Sequence, residues 1–120
     1  MKHSGVSGTL ELEQVCGLAR HEICNHNYEQ IEGIIAFKMG EYPDSAIPHN
    51  LMGILLQKQN HHVAAMKHFR AAYALDPTYI PARYNMDLYT NFYPKGEGAY
   101  VESDCKEMDK MVMLGGQMRW

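Results

Sequence analysis

Long apolar runs are missing from this chain, and without a stretch of about 18 apolar residues no transmembrane helix is predicted. Its opening residues, Met1-Lys2-His3-Ser4-Gly5, lack the apolar core of a signal peptide. Positive charge is not in excess: 11 Lys and Arg face 14 Asp and Glu, a net charge of −3. That argues against a sequence-independent nucleic-acid binder, which needs a basic surface. Cysteine is scarce, three residues in all. An odd, sparse set fits a reducing, cytoplasmic setting better than a disulfide scaffold. No segment alternates apolar and polar residues long enough to read as a strand. There is no P-loop, no dinucleotide glycine fingerprint and no haem motif, so neither an enzyme nor a cofactor is expected. What is present is a 46% hydrophobic chain of 120 residues, enough for one domain with a core. Seven histidines bring the charge from negative to positive between roughly pH 7 and 5.

Glycine and proline punctuate the rest. Pro43 and Pro77 lie 34 residues apart, each after a helical-looking run. Asp44 and Thr78 follow as candidate caps, and Ile47-Pro48 and Ile80-Pro81 then place proline in a first helical turn. A fixed period of this size points to a repeat architecture. The central unit is clearest. Met52, Leu55, Leu56 and Gln59 mark one face of a helix from about Ser45 to Gln59. Asn60-His61-His62 is a turn in which Asn60 can take the left-handed conformation. Val63, Met66, Phe69, Ala72, Tyr73 and Leu75 recur at helical spacing after it. Earlier helices are predicted over about 10–24, with Leu12, Val15, Leu18, Ala19 and Ile23 inward, and over about 28–39, with Ile31, Ile34, Ile35 and Lys38 on or beside one face. Later ones are predicted over about 83–92 and 99–114, the last with a stripe of Val101, Cys105, Met108 and Val112.

The period and its residues resemble the tetratricopeptide repeat. Counted from Ala46, Gly53 falls at position 8, Ala65 at 20, Phe69 at 24, Ala72 at 27 and Pro77 at 32, the family's diagnostic places. Small residues there let helices approach closely, and Phe69 fills the gap between hairpins. The unit from Leu12 fits less well, with Lys38 at a position that is normally small, and the unit from Ile80 has Asp87 and Ser103 at two diagnostic places. The resemblance implies an all-α solenoid, about six helices in a right-handed superhelical array. Residues 1–9 are expected to be a flexible N-terminus, 10–114 one domain with repeats at about 12–45, 46–79 and 80–114, and 115–120 a tail.

The resemblance also implies a function. First helices of successive hairpins line a groove that binds a peptide or a helix. The matching positions here include Arg20, Asn50, Ile54, Gln57, Tyr84, Leu88 and Asn91. Ile54, Tyr84 and Leu88 would form an apolar strip, with the amides of Asn50, Gln57 and Asn91 beside it, a mixture suited to an extended segment. Coverage of this strip by the chain's own last helix is the competing arrangement. The charged clamp of chaperone-binding members is missing, since Cys16, Arg20, Leu51, Pro81 and Asn85 hold its places and only Arg20 is positive. The implied function is an adaptor-like or chaperone-like protein-binding module with a protein or peptide partner, no nucleic acid and no membrane insertion. The alternative is a homodimer through the Met-rich C-terminal helix. Cys16, His21, Cys24 and His26 are the main metal candidate, but their spacing matches no common zinc site, the His61-His62 pair reads as a solvated turn, and no metal is expected. Cys105 is expected in the core, and His68 on an outer face.

Overall fold

A computed structural model describes residues 8–90 and 98–105. Five helices are seen there: α1 (Gly8–Cys24), α2 (Tyr28–Glu41), α3 (Ala46–Lys58), α4 (His62–Leu75) and α5 (Ile80–Thr90). Residues 102–105 are helical again, and there is no strand among the described residues. The fold is therefore all-α. No helix among the described residues is long and apolar enough to cross a membrane.

The 34-residue period is written in the backbone itself. α1 and α3 end in the same way. His26 (φ 63°) and Asn60 (φ 68°) are left-handed. His26 donates its N–H to Ile23 O and Asn27 donates to Glu22 O, while Asn60 donates to Gln57 O and His61 to Leu56 O. These are paired Schellman closures, with non-glycine residues at the strained place. The ends of α2 and α4 match too: Tyr42 N–H bonds Lys38 O and Asp76 N–H bonds Ala72 O. The caps differ from the expected ones. Ser45, not Asp44, caps α3 by accepting from Ile47 N–H at 3.2 Å. Before α5 it is Asp76 that accepts, from both the N–H and the hydroxyl of Thr78.

α3 and α4 form the most extensively packed pair, α1 packs on α2, and α2 and α4 each lie against the helix that follows. α1 also touches α3, and α3 touches α5. The core runs through Val15, Ala19, Ile23, Ile31, Ile35, Leu51, Ile54, Leu55, Ala65 and Phe69. Gly53 is a true close approach. A Cβ built on it would sit 2.5–2.8 Å from three carbons of the Phe69 ring. Phe69 in turn stacks on Tyr89, with centroids 5.9 Å apart and planes 6° from parallel.

Leu18, expected inward, and three of the helically spaced apolar residues of α4 face outward. Leu18, Val63, Tyr73 and Leu75 are exposed, because helical spacing marks a broad sector and α4 packs only its Ala65–Met66–Phe69–Ala72 edge. Lys38 occupies the place that Ala72 holds one period later, and it is buried. Its aliphatic stem takes the packed position, and its ammonium meets Glu11 Oε2 at 2.6 Å and Glu41 Oε1 at 2.8 Å. Burial disfavours that charge, but the two carboxylates outweigh it and hold Lys38 above its ordinary range.

Candidate functional site

α1 and α5 both pack against α3, and side chains from all three helices hold the segment 98–105. Each helix contributes one polar side chain to that segment. From α3, Asn50 donates its side-chain amide to Ala99 O at 3.0 Å. From α5, Asn85 donates to the same carbonyl at 2.9 Å and accepts from Ala99 N–H at 2.7 Å. Asn85 also donates to Asn50 Oδ1 at 2.8 Å. Both amides are fully buried. From α1, Arg20 reaches Asp104 Oδ2 at 2.7 Å, with its guanidinium carbon 4.7 Å from the centre of the Tyr100 ring. Asp104 Oδ2 also accepts from the N–H groups of Tyr100 and Val101.

The held segment is shaped for this place. Gly98 has φ +90°, a conformation that only glycine adopts without strain. A Cβ there would also meet the Tyr89 hydroxyl at 2.7 Å. Ala99 and Tyr100 are buried, Tyr100 at 1% exposure. A helix starting at Ala99 is therefore corrected. Ala99 gives its N–H and C=O to Asn85 and Asn50 instead of to a helix, and helical structure among the described residues resumes only at Glu102.

The groove residues named from the sequence do not stay together. Arg20 and Asn50 meet on the segment. Ile54 is fully buried in the core, and Leu88 packs against that core. The apolar strip thus does not form as an open surface, because helix-to-helix packing takes these side chains. Gln57 turns to His62, with Oε1 and Nδ1 3.1 Å apart. Tyr84 is half-buried and lines an open cleft of about 500 Å³ with Pro77, Thr78, Ile80, Arg83, Asp87 and Cys105. Asn91 lies outside the described residues, as do Met108, Val112 and the rest of the Met-rich stretch. Tyr100 and Asp104 were not singled out by the sequence, and Asn85 was named only as a place where the charged clamp is missing. One signal for Asn85 was there: it follows Asn50 by 35 residues, one more than the period.

The cysteine–histidine run does not converge. Cys16 is buried, whereas His21, Cys24 and His26 are exposed. Among the described residues no three His, Cys, Asp or Glu side chains are grouped to hold a metal. Burial, then the charge of Glu13, pushes the Cys16 thiol up to about 11, so it stays protonated and unreactive. Cys105 is buried, as its stripe position implies. His68 is not on an open face. It is half-buried beside His49, with Nδ1 atoms 3.1 Å apart and rings stacked at 5.3 Å. Burial holds both below the ordinary histidine range, and the neighbouring His49 adds to this for His68. Against known proteins, no family model, no curated protein and no solved structure matches the chain.

Proposed function

We propose that this chain is a tetratricopeptide-like protein-binding adaptor, non-catalytic and cytoplasmic, that holds an extended protein segment on the face of α1, α3 and α5. One observation carries the reading. Asn50 and Asn85, on two first helices, bind the main-chain N–H and C=O of one residue rather than a side chain. Amide pairs of this kind give affinity for any backbone in the right conformation, while flanking contacts give selectivity. The repeated helix ends, 34 residues apart, support the solenoid part of the reading. So does the order of contacts, in which each first helix touches the next first helix.

The experiment is a titration of the 15N-labelled full chain with extended peptides, followed at the side-chain amides of Asn50 and Asn85. A binding peptide should shift both pairs of resonances together. A partner that binds while shifting only residues around exposed Phe37 or Val63 would place the interaction elsewhere and defeat the reading.

A further inference from the structure

Residues 98–104 read Gly-Ala-Tyr-Val-Glu-Ser-Asp, and four of the seven are constrained by what touches them. The position of Gly98 combines a positive φ with the Tyr89 hydroxyl at 2.7 Å from any added Cβ. Ala99 is fully buried with its backbone held by the two asparagines, which favours a small side chain there. Tyr100 is buried with its ring beneath the Arg20 guanidinium, so an aromatic face is required there. Asp104 supplies the carboxylate that Arg20 binds. Val101, Glu102 and Ser103 are less constrained: Val101 is partly buried and the other two are exposed.

We infer that the groove selects partner segments of the pattern glycine, alanine, aromatic, any three residues, aspartate, and that residues 98–104 are an internal copy of that ligand. The inference rests on the groove reading above and adds the identity of the preferred occupant. Recognition divides between the helices. α3 and α5 set the register by holding one peptide unit, and α1 reads charge and aromaticity through Arg20. The partner contributes one negative charge at a fixed distance from a small residue, and the guanidinium meets both that charge and the ring before it. The internal copy competes at the effective concentration of a short tether, on the order of millimolar. A partner must therefore exceed it in affinity or in local concentration.

The test uses the whole chain with a protease site placed in residues 92–97, cut once so that both pieces remain present. A fluorescent peptide with the sequence of residues 98–104 is titrated by anisotropy. It should bind the cut chain at least about tenfold more tightly than the uncut chain, because cutting removes the tether. Replacing the peptide's glycine by alanine should weaken binding at least about tenfold, given the φ and the contact together. Replacing its aspartate by asparagine should weaken binding about three- to tenfold, the scale of a half-exposed charge-assisted pair. On an Arg20→Gln chain that last ratio should shrink, leaving only the part owed to the Tyr100 and Val101 N–H bonds to Asp104.

The two possible failures differ. If no peptide binds the cut chain, the groove reading itself is wrong. If peptides bind but aspartate and asparagine bind alike, or the ratio persists undiminished in Arg20→Gln, the groove stands and the selected pattern is wrong. Exchange of the segment between two copies of the chain is the competing occupant. It would appear as a sedimenting dimer that excess peptide leaves intact, which overturns a ligand role. Should cutting unfold the chain, the uncut protein supplies the answer through hydrogen exchange at the Ala99 N–H. Arg20→Gln should speed it, Asp104→Asn at least as much because the Tyr100 and Val101 N–H groups also lose the carboxylate, and the double variant no more than Asp104→Asn. Independent, multiplying effects would overturn the pairing.

Discussion

Replacing Asn85 by alanine tests the centre of the site. Asn85 makes three hydrogen bonds in a fully buried place. Its removal leaves Ala99 N–H and Asn50 Oδ1 without those partners, while Ala99 O keeps Asn50. Two buried groups left unpaired cost about 1–3 kcal/mol each, so Asn85→Ala should lose about 2–6 kcal/mol. Asn50→Ala is milder, because Ala99 keeps both of its bonds to Asn85 and only one Asn85 N–H is stranded, a loss of about 1–3 kcal/mol. The double variant is the sharper case. Relative to Asn85→Ala it removes the stranded Asn50 oxygen but strands Ala99 O instead, so it should match Asn85→Ala rather than the sum of the singles. Urea unfolding followed by circular dichroism at 222 nm measures all three. A domain of this size has about 5–15 kcal/mol in total, so these losses are readily resolved. Additive costs, or Asn50→Ala costing more than Asn85→Ala, would refute the bonding scheme.

The core offers a second check: Phe69→Ala should cost about 3–5 kcal/mol, and Gly53→Ala should also lower the melting temperature because its Cβ would overlap the Phe69 ring. Phe69→Leu should partly rescue Gly53→Ala, and failure to do so would separate the two. For pH, His49 and His68 sit below the unfolded value of 6.5, so the unfolded chain takes up protons first. Stability should therefore be greatest above about pH 6.5 and fall as pH drops toward the folded values, and His49→Gln should flatten that fall in thermal melts. Alkylation by iodoacetamide near neutral pH, read by mass spectrometry, should label exposed Cys24 while buried Cys16 and Cys105 react only on unfolding.

Helix positions were legible in the sequence because they depend on local chemistry. The expected turn at Asn60 is left-handed as its residue type suggests, and the start of α2 and the ends of α1 and α4 fall where they were expected. The small-residue places Gly53, Ala65 and Ala72 are buried, as close packing requires. The outward turn of Val63, Tyr73 and Leu75 was not legible, since apolar spacing does not say which part of a wide sector meets a neighbour. Nor was the burial of Lys38, which depends on Glu11 lying 27 residues away in sequence.

The site divides in the same way. Arg20 and Asn50 could be named from their places in a 34-residue period, because repetition carries a local position onto a shared face. Residues 98–105 could not, because their apolar stripe reads as a helix and nothing local forbids one at Ala99. Only in the folded chain do two buried amides from α3 and α5 satisfy the Ala99 N–H and C=O, taking the carbonyl that a helix from Ala99 would have used and capping an N–H that such a helix would have left open. Helix ends and turns such as those at Cys24, Asn60 and Leu75 are short-range properties and follow from the sequence alone. Which chain segment fills the inner face depends on groups brought together from positions 20, 50, 85 and 99, and that was decided by the tertiary structure.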